Sequence, residues 1–459
     1  MADAISHYVE FGERMGLSPW KDFDPFHYAR QYPDLEGYGR PLLLHYLRHG
    51  LREGRQGRPD QAQWVAWADD PDRPTVLVVV HELTRTGAPI LAWNIVRRLK
   101  ADGRRVAVVA LRGGDLLEDF RAEADEVVEV AADEKLDVLA GSVIGRCRPG
   151  YAICNGASTA PFGQYLERLG VRTVGLIHEF GFPTMHTPGL AACLSGWSDV
   201  IFPAEIVRRS MADCFPDVAL RRTQVLPQGK CVVPGNPAAR LVDTAPVSLR
   251  KSYDYLVVGA GTVDYRKGVD LFLAAASAVA AAAPDLTVGF LWIGRRRAED
   301  GIYLSMIEEQ ARRAGIADRF DLMEATEHLE AVYGAADAFF LSSRLDPMPN
   351  VCIDAGFAGL PVICFADASG TAELFAASEQ CRELVVPHCD AHAAGTLIAG
   401  LARDRQRSRR LGNCVQNLSR RSFDMDRYVR AIDAAGLAAG QPQPLAEPAA
   451  QPQPEPEPA

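Results

Sequence analysis

Short apolar runs alternate with amphipathic stretches and polar loops along most of the chain, and this alternation predicts parallel α/β domains. In the first half the pattern extends from residue 74 to about 235, so we expect one doubly wound domain there. A loop is predicted at 81–89 and an amphipathic helix at 90–100. The strands predicted for this half are 75–80, 105–111, 151–155, 174–177, 200–203 and 223–228.

The second half repeats the alternation after a predicted linker at 236–252, and we expect a second α/β domain at 253–420. Its clearest unit begins with an apolar run at 338–341, which predicts a buried strand. A polar loop with two prolines follows, and then a predicted helix that Gly359 ends. An apolar strand after the helix completes half of a parallel α/β unit, whose loop lies at the carboxyl edge of the sheet, where such folds bind ligands.

Two carboxylates occur in this unit with seven residues between them. Asp346 is on the predicted loop and Asp354 is about one turn into the predicted helix. The helix start, from Asn350 onward, offers unpaired N–H groups and the positive end of a dipole, which suit a phosphate. Carboxylates suit the hydroxyls of a sugar or ribose, so the unit predicts a phosphorylated, hydroxyl-rich ligand. Taken singly, Asp346 is better explained as a loop cap and Asp354 as a solvated helix residue, and only the full local pattern favours a functional role.

The segment SSRLDPMPNVCIDAGFAGLPVI resembles the signature of the retaining family-4 glycosyltransferases (glycosyl transferases group 1, GT-B fold), in which two Glu residues with seven residues between them precede a Gly-x-Pro-Val strand. The resemblance implies two Rossmann-like domains facing each other across a cleft. It also implies that Asp346 contacts the donor sugar and Asp354 the ribose. Both positions are Asp here, shorter than Glu by one methylene. The nucleotide-binding positions that it further implies are Met323, Glu324, Pro349, Asn350 and Val351.

A second segment, GTVDYRKG, is similar to the family pattern G-R-L-x-x-x-K-G, in which Arg and Lys hold the nucleotide diphosphate. Lys267 matches the Lys, whereas Thr262 stands where the family has Arg. Arg266, beside Lys267, restores a positive charge from another direction. Cations at this place stabilise the negative charge that develops as the sugar–phosphate bond breaks.

The resemblance also assigns residues in the first domain. Gly87 and Ala88, in the predicted loop after the first strand, would let the acceptor and the donor phosphate approach the backbone. His178 follows the strand at 174–177, and its imidazole would donate a hydrogen bond to the donor sugar. Glu179 is a weaker candidate. The predicted catalytic residues are therefore Lys267, Asp346 and His178.

Composition and charge limit the other classes of function. A net charge of −10 disfavours nucleic acid as a partner. The ten cysteines lack a zinc-ligand spacing and predict reduced core thiols. No D-x-D motif follows a suitable strand, so we expect neither a bound metal nor a cofactor besides the nucleotide-sugar substrate. No apolar run approaches the roughly 20 residues that span a bilayer, so we expect a cytoplasmic protein, either free or peripheral at the inner face of the membrane.

Segments outside the two domains have separate predictions. Residues 1–60 carry two H-Y-x-x-x-G repeats and aromatic residues at roughly helical spacing, which predict a small helical module that stabilises or docks the protein. Contact of this module with a membrane or a protein stays open. We expect a linker at 61–73, a last helix at 421–437 that packs back on the first domain, and a disordered tail at 438–459.

The resemblance implies a retaining transferase that moves a sugar from a nucleotide-diphosphate sugar to a glycan or lipid-linked acceptor, in bacterial surface polysaccharide synthesis. Two other classes remain. A nucleotide-sugar epimerase of the same architecture would need no acceptor. A non-catalytic protein that binds sugar nucleotides or glycans is suggested by the Glu-to-Asp and Arg-to-Thr departures.

Overall fold

The structure is a computed structural model, and it describes the following residues: 8, 13, 23, 25–35, 38, 41–57, 67, 73–130, 135–187, 189–216, 218, 222–235, 253–296, 301–326 and 329–438. The predicted linker at 236–252 and residues 439–459 of the predicted tail lie outside this part of the chain.

The N-terminal module contains helices and a cluster of aromatic side chains. Helix α1 is Pro25–Gln31, a 3₁₀ turn is Pro33–Leu35, and helix α2, Leu42–His45, continues into a π-helical turn, Tyr46–Gly50. The buried Tyr28 hydroxyl lies 3.0 Å from Nδ1 of His45. His45 of the second predicted repeat is therefore a packed, hydrogen-bonded side chain, whereas His7 of the first repeat lies outside the described residues.

The first domain is built on a sheet of seven parallel strands in the order β3-β2-β1-β4-β5-β6-β7. Its strands are Thr75–Val80 (β1), Arg105–Ala110 (β2), Glu126–Glu129 (β3), Tyr151–Asn155 (β4), Arg172–Leu176 (β5), Asp199–Phe202 (β6) and Thr223–Val225 (β7). Its helices are Gly87–Ala101 (α3), Leu117–Glu123 (α4), Leu136–Cys147 (α5), Ala160–Arg168 (α6), Gly181–Thr184 (α7), Leu190–Leu194 (α8) and Glu205–Cys214 (α9), with a 3₁₀ turn at Ala157–Thr159.

The second domain has a sheet of six parallel strands in the order β10-β9-β8-β11-β12-β13. Its strands are Tyr255–Ala260 (β8), Val288–Ile293 (β9), Phe320–Met323 (β10), Ala338–Leu341 (β11), Val362–Phe365 (β12) and Val385–Val386 (β13). Its helices are Val269–Ala282 (α10), Gly301–Arg313 (α11), Leu329–Ala335 (α12), Asn350–Phe357 (α13), Gly370–Ala376 (α14), Ala391–Arg403 (α15) and Arg405–Ser422 (α16), with a 3₁₀ turn at Arg382–Leu384. These two Rossmann-like sheets confirm the predicted fold class.

Both sheets reverse their strand order at one point, between β1 and β4 in the first domain and between β8 and β11 in the second. Every residue of β1, β4, β8 and β11 is buried, as expected for central strands covered by helices on both faces. At such a reversal the connections leave toward opposite faces, so the carboxyl ends of the two strands open a crevice that can hold a ligand.

The last helix, Met425–Leu437 (α17), returns to the first domain. Asp433 on this helix accepts hydrogen bonds from Tyr151 at 2.5 Å and from Arg104 at 2.7 Å. The chain therefore crosses the domain boundary twice. Among the helices of the described residues, none has both the length and the apolarity needed to span a bilayer.

Candidate active site

Lys267 and Asp346 form an ion pair at the crevice of the second domain. Lys267 lies on the loop after β8 and Asp346 on the loop after β11, and these two strands are neighbours at the reversal point. The Lys267 Nζ atom is 2.5 Å from Oδ2 of Asp346, whose side chain is only 8% exposed. Ser343 donates a second hydrogen bond, 3.1 Å long, to the same oxygen. The two motifs that sequence alone singled out thus meet in one partly buried charge pair.

Gly268 fixes the approach of the two loops. Its φ is +69°, and a Cβ atom there would lie 2.1 Å from the carbonyl oxygen of Ser342. A side chain would therefore both strain the backbone and push the loops apart. Gly268 also precedes α10, so the positions of Lys267 and of this helix are set together.

Arg266 lies on the outer side of the same carboxylate. Its Nη1 donates to the Leu345 carbonyl at 2.9 Å and is 3.7 Å from Oδ1 of Asp346. Both cations therefore converge on Asp346, although the Arg266 side chain remains 46% exposed. Thr262, at the start of the same loop, contributes no charge.

The loop that carries Asp346 is held at both ends. The Asp346 amide donates to the Ala368 carbonyl at 2.8 Å, in an isolated parallel bridge with Ser369. The other end runs through Pro349 into α13, whose first turn, including Val351, lacks a side-chain cap. The start of α13 therefore keeps backbone donors that no side chain occupies.

This helix start contacts the first domain. Asn350 Nδ2 donates to the Gly87 carbonyl at 3.4 Å, and Gln228 donates to Oδ1 of Asn350. Gly87 and Ala88 are not in a loop, as the sequence predicted, but form the first turn of α3, which also lacks a side-chain cap. The starts of two helices, one from each domain, thus face each other across the boundary.

Asn155, at the end of β4, joins α3 to His178. Its Nδ2 donates to the Ala88 carbonyl at 2.8 Å, which orients its Oδ1 toward His178 Nε2, 2.9 Å away. A carbonyl oxygen only accepts, so Nε2 carries the proton and Nδ1 is the nitrogen with a free lone pair. In this tautomer His178 would accept a hydrogen bond from a ligand, whereas the resemblance implied that it donates one to the donor sugar.

Burial, together with the smaller effect of the neighbouring His81, lowers the pKa of His178 to about 4. The imidazole is thus neutral at pH 7, with no positive charge to offer a phosphate. Glu179 is turned inward, where its carboxylate accepts from the amides of His178 at 2.9 Å and Ala157 at 3.2 Å. Burial raises the pKa of Glu179. This residue shapes the turn after β5.

Asp354 is paired with a residue that the sequence did not point to. Lys230, from the first domain, places its Nζ 3.6 Å from Oδ1 of Asp354 and 5.6 Å from the ring centroid of Phe357. Burial raises the pKa of Asp354 to about 6, while Lys230 opposes the shift. The only sequence signal for Lys230 was a cation after Gly229, which fits no phosphate-loop pattern.

Met323 and Glu324 lie at the same edge of the second sheet, two strands away from β8. The Met323 carbonyl accepts from Gly294 at 3.0 Å, and the exposed Glu324 is 3.9 Å from Arg296. No contact within the described residues joins either of them to Lys267 or Asp346. No group of three or more His, Cys, Asp or Glu side chains within the described residues is arranged to hold a metal ion.

Two facing Rossmann-like domains with a cleft lined from both sides define the GT-B class of glycosyltransferase fold. Residues 244–417, which include most of the second domain, match the model of the family "Glycosyl transferases group 1", in agreement with the resemblance of the sequence motifs.

Two relatives of known name are similar over this region. The lipopolysaccharide core biosynthesis mannosyltransferase LpsB of Rhizobium meliloti is 25% identical over 174 residues, which cover 38% of this chain and 49% of LpsB. Mannosylfructose-phosphate synthase of Agrobacterium fabrum is 30% identical over 111 residues, 24% of each chain. The chain thus matches about half the length of the first relative and a quarter of the second.

Solved structures share the fold over a longer stretch. HepE of Anabaena, crystallised with UDP, superposes with a TM-score of 0.65 at 14% identity and covers 78% of this chain and 98% of its own. Sucrose-phosphate synthase of Thermosynechococcus elongatus has a TM-score of 0.61 at 17% identity and covers 79% and 98%. Both likenesses establish the two-domain fold.

Proposed function

We propose that this protein is a retaining glycosyltransferase that moves a sugar from a nucleotide-diphosphate sugar to a glycan or lipid-linked acceptor, in bacterial surface polysaccharide synthesis. The observation that carries the proposal is the partly buried Lys267–Asp346 pair at the crevice of the domain that matches the group 1 family. Such a pair places a cation and a hydroxyl acceptor side by side, which is what a sugar phosphate requires.

The nucleotide-sugar donor would separate Lys267 from Asp346, because its diphosphate would bind Lys267 and its sugar would bind Asp346. Without a ligand, the Lys267 ammonium and the Asp346 carboxylate neutralise each other. With the donor bound, the diphosphate takes the Lys267 charge, assisted by Arg266 and the free amides at the start of α13. Asp346 then accepts from sugar hydroxyls, so its loss of one charge partner is offset by hydrogen bonds. The ribose hydroxyls would reach Asp354.

The first domain would present the acceptor. The start of α3 faces α13, and His178 lies behind it, held by Asn155. With its unprotonated Nδ1, His178 would accept a hydroxyl hydrogen bond from the donor sugar, and its neutrality avoids competition with Lys267 for the phosphate.

Retention requires the acceptor oxygen to attack on the face from which the diphosphate departs. The bond from the anomeric carbon to phosphate oxygen breaks, the bond to the acceptor oxygen forms, and the leaving phosphate takes the acceptor proton. Asp346 orients the sugar and forms no covalent bond in this scheme. Lys267 and Arg266 stabilise the departing charge.

The relatives support the chemical class. LpsB is named a mannosyltransferase of lipopolysaccharide core biosynthesis, which supports a surface glycan as the product. HepE was crystallised with UDP and with UDP-glucose, which supports a nucleotide sugar as the donor.

A panel of nucleotide sugars, screened by thermal stabilisation, tests the donor class first, because a ligand of the folded state raises the unfolding temperature. The stabilising donor is then incubated with glycan and lipid-linked acceptors, and the anomeric configuration of the product is read by proton NMR. We expect transfer with retention, which Asp346→Asn abolishes and Asp213→Asn, a matched change at an exposed carboxylate, preserves. Turnover of the donor without acceptor would indicate an epimerase. Stabilisation without any turnover would indicate a binding protein.

A further inference from the structure

Glu373 extends from the second domain to a helix of the first. It lies in the first turn of α14, yet its two carboxylate oxygens accept hydrogen bonds from the amides of Glu205 at 2.9 Å and Ile206 at 2.7 Å. These are the first two amides of α9. The residue before them, Ala204, offers no capping side chain. The Glu373 carboxylate of the second domain therefore accepts the hydrogen bonds of the first amides of α9.

The hydrogen bonds between the Glu373 carboxylate and the start of α9 are stronger than those between neutral groups. A carboxylate at a helix start receives charge-assisted hydrogen bonds and faces the positive end of the helix dipole. Arg209, one turn along α9, is 3.8 Å from the same carboxylate. The Glu205 side chain does not compete for these amides, because it is paired with Arg208.

The segment around Glu373 also holds the loop of Asp346. The Gly370 amide donates to the Pro347 carbonyl at 2.8 Å, beside the bridge between Asp346 and Ser369. A Cβ atom on Gly370 would lie 2.5 Å from Cβ of Ala204, so the start of α14 is packed directly against the start of α9. Any separation of the domains here therefore disturbs the backbone that positions Asp346.

We propose that Glu373 is a positioning residue that caps α9 across the domain boundary and thereby holds the two domains in the closed arrangement around Asp346. Its effect on sugar transfer rests on the proposed function, whereas its effect on the joining of the domains does not. The residue acts through the Asp346 loop and α9, not by contact with the donor.

Glu373→Gln tests the proposal with little change of shape. The amide keeps one acceptor oxygen but turns an N–H₂ group toward a backbone N–H, and it removes the charge. Glu379→Gln, at an exposed position shortly after α14, removes the same charge as a control. Amide hydrogen exchange at Glu205 and Ile206 should become about tenfold faster or more in Glu373→Gln alone, because the lost bonds are to a charged group. Small-angle scattering should show a larger radius of gyration for this variant.

The kinetic constants of sugar transfer provide a further test, because they would not change if Glu373 only stabilised the start of α9. With the donor found by the screen, Glu373→Gln should raise the donor KM by a larger factor than it lowers kcat, since closure precedes the chemical step. Glu373→Asp, which keeps the charge, should restore part of the loss.

Unchanged exchange at Glu205 and Ile206, or faster exchange with the same radius of gyration as the control, would overturn the proposal. If the wild-type protein turns over no nucleotide sugar, the proposed function fails, yet exchange and scattering still decide the role of Glu373.

Discussion

Asp354→Asn should stabilise the protein at neutral pH and not in acid. The Asp354 side chain is partly buried, with 22% of its surface exposed, and the Lys230 ammonium lies 3.6 Å from its carboxylate. Burial raises its pKa from 3.8 to about 6, and Glu330 adds to the shift while Lys230 opposes it. The folded state therefore holds this proton more tightly than the unfolded chain does.

The sign and the magnitude follow from this shift. A carboxyl whose folded pKa is raised contributes fully to stability below its unfolded pKa, and that contribution is lost as pH rises through the folded pKa. The difference between a pKa of 3.8 and a pKa of about 6 corresponds to about 3 kcal/mol at most, since a tenfold change in proton affinity is roughly 1.4 kcal/mol. The partial exposure of the carboxylate reduces the expected loss to about 1–2 kcal/mol, all of it between about pH 4 and pH 6.5.

Asparagine does not titrate, so the stability of Asp354→Asn relative to the wild type should increase as the pH rises from about 4 to 6.5. The assay is urea unfolding of both proteins at pH 4.5, 5.5, 6.5 and 7.5, with the difference in free energy of unfolding plotted against pH. The difference should rise by about 1–2 kcal/mol from the lowest to the highest pH and then level off. A difference that is independent of pH would refute the reasoning, because it would mean that Asp354 titrates alike in both states. The affinity of Asp354→Asn for the nucleotide should fall at the same time, so the variant would gain stability and lose function.

Three further outcomes are expected. Gly268→Ala should lower the free energy of unfolding by about 2 kcal/mol or more and should remove most of the transfer activity. Gly315→Ala, at φ +68° with no neighbouring atoms around its Cβ, should lower the free energy of unfolding by only about 1 kcal/mol in thermal or urea unfolding. Equal losses in the two variants would show that backbone strain alone matters. Asn155→Ala should free the His178 ring and lower kcat at least tenfold while the unfolding temperature changes little; unchanged kcat would remove His178 from the site. Because burial lowers the pKa of His178 to about 4, log kcat should show no inflection from this residue between pH 6 and pH 8, and an inflection there that disappears in His178→Asn would contradict the assignment.

The sequence predicted most of the fold because buried parallel strands are nearly continuous apolar runs. Strand β3, Glu126–Glu129, escaped prediction since its two Val are flanked by Glu and the strand is only partly buried. Strand β13 has two residues, too few for any pattern. Gly87 and Ala88, predicted in the loop before the helix at 90–100, instead form the first turn of α3, where Gly is tolerated because the amides have no helical partner in any case.

The site was predictable only where a motif spaced its residues along the chain. Lys267 and Asp346 each lie in a recognisable segment, and their meeting follows from the adjacency of β8 and β11. Lys230 and Glu373 are single charged residues whose partners lie more than 100 positions away in the other domain. No local pattern encodes such pairs, because they depend on how the two domains pack.

The central claim is that Lys267 receives the donor diphosphate while Asp346 turns to the sugar. Calorimetric titration of UDP, or of the nucleotide whose sugar stabilises the protein most, into the wild type and Lys267→Met measures this directly. The exposed Lys135→Met serves as the control. We predict a dissociation constant raised by about tenfold to a hundredfold in Lys267→Met, since a charge-assisted contact to phosphate is lost, and unchanged in the control. Equal affinity of Lys267→Met and the wild type would contradict the account.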